Sequence, residues 1–341
     1  MTTLREPISG APTLVADIGG THVRFGLAGH DPRLLLGVRR LRCADHATAA
    51  AAIEAYLEAE RPGGLAAACF AVAGPVVDGC VRLTNGAWQL EVEDLARRLG
   101  VATVRLINDF EAVALSLPFL ADEGLRPIGP AGPSIDRRAD FSVGALGPGT
   151  GFGMAGLLGR GGTLHPIVGE GGHAGFAPES ARQVEVLEVL RERFGRVSRE
   201  RLLSGPGLVN IHSALARLSG VTDAATDAAA IFRRAQASDD PIAAETVALF
   251  FEALGQAAGD LALELGAFDG IYLAGGIVRR YPDMLEASGF RAAFERKGRH
   301  ESLLARVPTC LVTHAEPGLL GAACAARMMG QHQASVGPAV T

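Results

Sequence analysis

Three features of this sequence could do chemistry, and the first is a set of glycine turns. Gly19-Gly20-Thr21 lies between apolar runs at residues 14–18 and 23–27. That pattern reads as a β-hairpin over residues 13–28 whose turn carries no bulky side chain. Such a turn lets backbone N–H groups approach an anion closely, and Asp17 beside it could organise a divalent cation. Gly147-Pro148-Gly149-Thr150-Gly151 repeats the device between two further apolar runs, and Ala274-Gly275-Gly276-Ile277 follows a third. A lone Gly-Gly is first of all a turn signal. Two such turns facing one another would clamp a phosphate chain.

The second feature is a carboxylate at a strand end. Asp109 follows an apolar run at residues 101–107 and precedes the helical period of Phe110, Val113, Ala114 and Leu117. From there it could accept a proton from a substrate hydroxyl. Asn108, with Glu111 three residues on, equally makes a helix N-cap, so both roles stay open. The third feature is GEGGH at residues 169–173, where Glu170 and His173 could hold two hydroxyls of a polyol through paired hydrogen bonds. A solvent-facing turn, or a metal site completed by His165, would use the same residues, but no further close ligand makes up a set of four. Glu200, in SRERLLSG, reads as an ordinary acidic residue of a helix first turn. Nucleophile-elbow, Walker A and GxGxxG patterns are absent from the sequence, which sets aside serine hydrolases, P-loop NTPases and the usual dinucleotide folds.

The elements that position these groups belong to a chain of 341 residues, enough for two domains. Apolar residues at 48% and charged residues at 20% indicate a globular protein. Aromatics at 5% argue against single-stranded nucleic-acid binding by base stacking, and a net charge of −5 points the same way. Arg39, Arg40 and Arg42 read as a solvated strand end, and Tyr56 and Trp88 as packing residues. Five cysteines show no CxxC spacing, and Cys69 and Cys310 sit in apolar runs. No disulfide framework or cysteine zinc site is expected. Glu6, Pro7 and Gly10 interrupt any signal-peptide core, and the longest apolar run, residues 65–77, is too short to span a membrane. The expectation is a cytoplasmic protein with no membrane partner.

In chain order, strands are expected at residues 34–41, 65–72 and 101–107 after the hairpin, with helices at 47–60 and 91–99. Residues 65–72 read as a buried central strand and residues 101–107 as a further buried strand. Residues 120–140 read as a connection into a second unit that opens with strands at 141–145 and 152–158. Helices are expected at 183–194, 198–203, 207–218, 224–236 and 242–265. Gly255 and Gly259 of the last would pack closely on a neighbour. Strands at 270–273 and 307–313, a helix at 317–329 and a tail complete the chain. This is a mixed α/β order, in which ligands gather at the carboxyl ends of strands.

With these segments placed, the chain resembles the bacterial glucokinase family, within the superfamily of sugar kinases and actin-like ATPases. The resemblance is carried by ADIGGT (residues 16–21), AVAGPV (71–76), LTN (83–85) with Trp88, INDFEAVA (107–114), GPGTG (147–151) and GEGGH with FAP (169–178). It continues through ERLLSGPGLVNI (200–211), LAGGI (273–277), residues 289–299 and PGLLGAA (317–323). It implies a two-domain, ribonuclease H-like α/β fold with a small domain at residues 1–118 plus 313–331 and a large domain at 119–312. A cleft between them would close on glucose, and residues 332–341 would form a flexible tail.

The same resemblance implies ATP-dependent phosphorylation of D-glucose at the 6-hydroxyl, the first step of glycolysis, with Asp109 as general base. Asn108, Asp109, Glu170, His173 and Glu200 would bind the sugar. Ala16, Asp17, Ile18, Gly19, Gly20 and Thr21, with Gly149, Thr150 and Gly151, would hold the ATP phosphates. Gly275 and Gly276 would lie near adenosine, and Asp17 would help place Mg²⁺ through water. A homodimer is implied as well. Two positions depart from the pattern: His22 stands where the family commonly has Asn, and Ala174-Gly175 precedes FAP without a polar side chain. A kinase for another hexose or amino sugar is the alternative. A sugar-sensing regulator is disfavoured, because only twelve residues precede the first strand and the cysteine-rich zinc motif of the related repressor and kinase family is absent.

Overall fold

The computed structural model describes residues 10–83, 88–130, 132, 135–222, 227–237 and 240–335. The chain divides into two compact units, Met1–Leu120 with Ala315–Thr341, and Ala121–His314.

The first unit opens with the hairpin β1 (Thr13–Ile18) and β2 (His22–Ala28), followed by β3 (Leu35–Arg42) and α1 (Ala49–Glu60). Then come β4 (Ala67–Val72), the small hairpin β5 (Cys80–Arg82) and β6 (Gln89–Glu91), α2 (Val92–Leu99), β7 (Val104–Asn108) and α3 (Asp109–Ser116). The main sheet has the order β3-β2-β1-β4-β7. Its hairpin strands are antiparallel, while β4 runs parallel to both β1 and β7. β4 is apolar throughout because it is buried on both faces. β7 differs from the expected buried strand. It lies at the sheet edge, begins only at Val104, and leaves Val104 and Arg105 half-buried. Thr48 caps α1 by accepting the Ala51 N–H, and Tyr56 on its inner face stacks on Phe25 with ring centroids 5.0 Å apart. Trp88 is buried and donates from Nε1 to the His46 carbonyl at 3.2 Å. Thr84 and Asn85 of the LTN block lie outside the described residues.

The second unit contains β8 (Leu125–Pro127), β9 (Phe141–Pro148), β10 (Phe152–Arg160) and β11 (Thr163–Val168). Four helices follow, α4 (Ala181–Phe194), α5 (Gly205–Leu218), α6 (Ala228–Ala237) and α7 (Pro241–Leu265). Then come β12 (Ile271–Leu273), α8 (Gly276–Arg280), α9 (Pro282–Glu286), α10 (Phe290–Glu295), α11 (Glu301–Leu304) and β13 (Thr309–Val312). The sheet order is β11-β10-β9-β12-β13-β8. Like the first, this sheet begins with three antiparallel strands and continues into parallel ones, so the opening device of the chain is repeated at the level of topology.

Three expectations change here. Residues 120–140 are more than a connection, since β8 pairs antiparallel with β13 at a sheet edge. β11 is an additional strand on the opposite edge. Residues 198–203 form no α-helix but a single 3₁₀ turn, Arg199–Arg201, because Ser204 starts a new helix by capping α5. The start of the helix expected at residues 224–236 lies outside the described residues, and α6 begins at Ala228. α7 is the core of this unit. Phe250, Phe251, Leu254 and Ala258 are fully buried. A side chain on Gly255 or Gly259 would overlap the carbonyls of Phe290 and Phe294, which is the close packing expected of that pair.

The chain then returns to the first unit as α12 (Pro317–Ser335), packed on α3, β1 and β4. The helix passes the expected end at residue 329, so residues 332–335 of the expected tail are helical; residues 336–341 lie outside the described residues.

Candidate active site

In the first unit, parallel pairing levels three strand ends. Ile18 pairs with Val72, and Val72 with Asn108. The Gly19-Gly20-Thr21 turn and the Asn108-Asp109 corner therefore share the carboxyl edge of one sheet. Two strand spacings, roughly 10 Å, separate them. The turn is tied by the Gly19 N–H to the His22 carbonyl at 3.0 Å and by the Cys43 N–H to the Thr21 carbonyl at 2.9 Å. At the other end, Asn108 Oδ1 accepts the N–H groups of Phe110 at 2.8 Å and Glu111 at 3.3 Å, so the capping role is realised. Its amide Nδ2 faces the Gly74 carbonyl at 3.5 Å. Asp109 is half-buried, and its Oδ1 accepts the Phe110 N–H at 2.9 Å.

Asp17 lies opposite Arg24 in the hairpin register, with Arg24 Nη1 at 3.3 Å from its Oδ2 and Arg24 Nε at 2.5 Å from Glu316 Oε2. Burial pushes the Asp17 carboxyl above its ordinary value, and the Arg24 charge opposes that push. Gly318, in the first turn of α12, leaves room for this carboxylate: a Cβ there would stand 2.8 Å from Asp17 Cγ. Desolvation, then the cations Arg40, Arg24 and Arg42, hold the His22 imidazole below its usual value. His22 is therefore neutral near pH 7 and brings no cation to the turn. Glu111 is buried with Oε1 at 2.7 Å from Arg105 Nη2, and its carboxyl is raised by burial against the pull of Arg105. Cys69, buried within β4, is pushed up to about 12 by burial and is inert as a thiolate.

In the second unit the structure brings together the remaining candidates. β9 runs through Gly147 and Pro148, and residues 149–151 make the turn into β10. The Ala274-Gly275-Gly276 turn packs on it. A Cβ on Gly147 would overlap the Ala274 carbonyl, and one on Gly275 would stand 2.5 Å from the Pro148 carbonyl oxygen. Gly275 also has φ of +98°, which favours glycine on backbone grounds alone. Glu170 precedes the 3₁₀ turn Gly171–His173, and both side chains are exposed, with His173 Nε2 at 4.0 Å from Glu170 Oε2. Glu200 reaches the glycine turn directly: its Oε2 accepts the Phe152 N–H at 2.9 Å. Arg199 next to it is buried and pairs with Asp260 at 3.2 Å and Glu264 at 3.1 Å, holding the Glu200 turn against α7.

The sequence profile of the family described as Glucokinase matches residues 14–329. The chain belongs to the glucokinase family. It is 44% identical over 315 residues to the glucokinase of Aromatoleum aromaticum and 45% identical over 315 residues to that of Caulobacter sp. strain K31. Each alignment covers 92% of this chain and 94% of the relative. The crystal structure of a glucokinase from an Antarctic psychrotroph superposes with a TM-score of 0.83 at 33% identity, covering 93% of this chain and 99% of that one. The fold is that of the sugar kinases and actin-like ATPases.

Within that family fold, several groups at the candidate site carried no signal of their own in the sequence. The Phe152 N–H is a backbone group, and Arg105 becomes the partner of Glu111 only through the strand-to-helix corner. Gly318 was visible inside PGLLGAA, but its neighbour Asp17 lies some three hundred residues earlier. The family also implies Mg²⁺. Among the described residues no group of three or more His, Cys, Asp or Glu side chains forms a metal cage. Asp17, a carboxylate beside a glycine turn that shares Arg24 with Glu316, would suit a magnesium ion brought chiefly by the phosphates of its nucleotide.

Proposed function

We propose that this chain transfers the γ-phosphoryl group of ATP to the 6-hydroxyl of D-glucose, giving glucose 6-phosphate and ADP, the first step of glycolysis. Asp109 takes the hydroxyl proton as O6 attacks phosphorus, and the bond to the ADP oxygen breaks. Asn108, Glu170, His173 and Glu200 hold the other sugar hydroxyls. The turns at residues 16–21 and 149–151 hold the phosphates, and Gly275 and Gly276 border adenosine. Mg²⁺, met by Asp17 through water, would neutralise charge on the phosphates. Phosphoryl transfer asks of a protein mainly positioning and charge compensation, and glycine turns with strand-end polar groups supply both.

The observation that carries the reading is the level register of Ile18, Val72 and Asn108 in a chain of the glucokinase family. It sets the proposed base and the proposed phosphate turn on one edge, about 10 Å apart, which leaves room for a phosphoryl group and its acceptor. A second reading, a kinase for a bulkier hexose or an amino sugar, is favoured by the open space beside Gly175, where a Cβ would meet nothing within 4 Å. A coupled ADP-release assay over a sugar panel, run with ATP, ADP and polyphosphate as donors, decides between them. Glucose with ATP is expected to give the highest kcat/KM, and turnover on no sugar would overturn the proposal. The enzyme is further proposed to act in the cytoplasm and to form a homodimer; light scattering checks the second.

A further inference from the structure

We propose that Glu200 serves both substrates. Besides ligating a sugar hydroxyl it sets the geometry and charge of the donor loop, so that sugar binding tightens nucleotide binding through this one side chain. The inference rests on the functional reading above and adds a coupling to it.

The turn carrying Glu200 and the loop at residues 147–151 form one hydrogen-bonded ring. Glu200 Oε2 accepts the Phe152 N–H at 2.9 Å, on the residue that leaves the glycine turn. The Gly149 N–H donates to the Gly151 carbonyl at 2.8 Å, and the Gly205 N–H to the Gly149 carbonyl at 2.9 Å. Ser204 closes the ring. It is buried, its Oγ donates to the Glu200 carbonyl at 2.9 Å, and the same Oγ accepts the Gly207 N–H at 3.0 Å as the cap of α5. The fit leaves no slack, since a Cβ on Gly151 would stand 2.6 Å from Glu200 Oε2. The next peptide group is packed as well: a Cβ on Gly172, in the turn that follows Glu170, would overlap the Phe152 carbonyl. Phe152, the residue leaving the donor loop, is thus held through its N–H by the segment that carries Glu200 and at its carbonyl by the segment that carries Glu170 and His173.

The coupling follows from charge. Oε2 is engaged by the loop, whereas Oε1 makes no hydrogen bond among the described residues and faces its task as a sugar acceptor alone. Without sugar, a full carboxylate charge sits against a loop that must receive a polyanion, which is repulsive. A sugar hydroxyl donating to Oε1 draws off part of that charge and fixes the carboxylate, and with it the loop. Binding free energies being linked, nucleotide strengthens sugar binding by the same factor.

Calorimetry with a non-hydrolysable ATP analogue, with and without saturating glucose, tests this on the full-length enzyme. The wild type is expected to bind the analogue at least about 5-fold more tightly when glucose is present. Glu200→Gln, which keeps the shape and removes the charge, is expected to bind the analogue more tightly than wild type in the absence of sugar and to lose most of the coupling. Ser204→Ala is expected to weaken analogue binding several-fold while glucose affinity holds, and Ser204→Thr, which keeps the hydroxyl, to restore it. Full coupling in Glu200→Gln, or unchanged analogue affinity in Ser204→Ala, overturns the inference. The two levels of the argument separate cleanly. Unchanged glucose affinity in Glu200→Gln refutes Glu200 as a sugar ligand, whereas reduced glucose affinity with intact coupling refutes the coupling alone.

Discussion

Replacing Asp109 by asparagine separates proton transfer from architecture. Asp109 Oδ1 accepts the Phe110 N–H at 2.9 Å, and an asparagine oxygen can accept the same bond. The helix start has a second anchor, because Asn108 Oδ1 holds the N–H groups of Phe110 and Glu111 at 2.8 and 3.3 Å. Stability is therefore expected to change by no more than about 0.5 kcal/mol. The catalytic loss is a different matter. Removing a positioned general base costs roughly 10²- to 10⁴-fold in rate, about 3–5 kcal/mol of transition-state stabilisation. Steady-state kinetics by coupled ADP release, with urea unfolding on the same samples, should show kcat falling by that factor while glucose KM and unfolding midpoint stay near wild type. Asn108→Ala supplies the contrast. It removes the cap and is expected to lose about 1 kcal/mol of stability together with glucose affinity, while the base remains. Near-normal turnover of Asp109→Asn would refute the assignment, and so would a rate loss that simply tracks unfolding.

Other consequences can be checked with single variants. Glu111, raised by burial, binds its proton more tightly in the folded than in the unfolded chain, so its contribution to stability falls as pH climbs from 4.5 through the folded value. Urea unfolding from about pH 4 to about pH 7 should show that slope in wild type and a flatter one in Glu111→Gln. Lys297 is 7% exposed and pairs with Glu179 at 3.0 Å and Asp260 at 2.8 Å. Because both partners are partly solvated, Lys297→Met is expected to cost roughly 1–3 kcal/mol, below the full cost of breaking a buried pair, as read by thermal unfolding. Gly318→Ala pushes a methyl to 2.8 Å from Asp17 Cγ, and the expected result is a several-fold rise in KM for ATP with KM for glucose unchanged.

What could be read from the sequence follows what periodicity reports. The hairpin, β4 and α7 are long or continuously apolar, so their burial is written into residue order. β8 and β11 escaped because edge strands need little apolar content. β11 is mostly exposed and contains Pro166, and β8 has three residues. Residues 198–203 misled because Leu202 and Leu203 are buried without being helical. The pairing of Asp17 with Arg24 was available once the turn was centred, since the two stand symmetrically about Ile18 and Val23. Neither the bond from Phe152 to Glu200 nor the contact of Gly318 with Asp17 has any period, for each joins distant segments through geometry alone.

The return of α12 to the first unit has a consequence for synthesis on the ribosome. Residues 121–314 are contiguous, so the second unit has all its strands once that stretch has emerged. The first unit has its strands earlier but stays incomplete, because α3, β1 and β4 pack on a helix that begins at Pro317. Until that helix is made, β1 and β4 lack its cover and the carboxylate of Asp17 lacks the turn that Gly318 belongs to. Folding in the order of translation therefore completes the inserted unit first and the hairpin of Gly19-Gly20-Thr21 last. A released chain truncated before Pro317 would keep every strand of the second unit and lack the helix that packs on α3, β1 and β4 of the first.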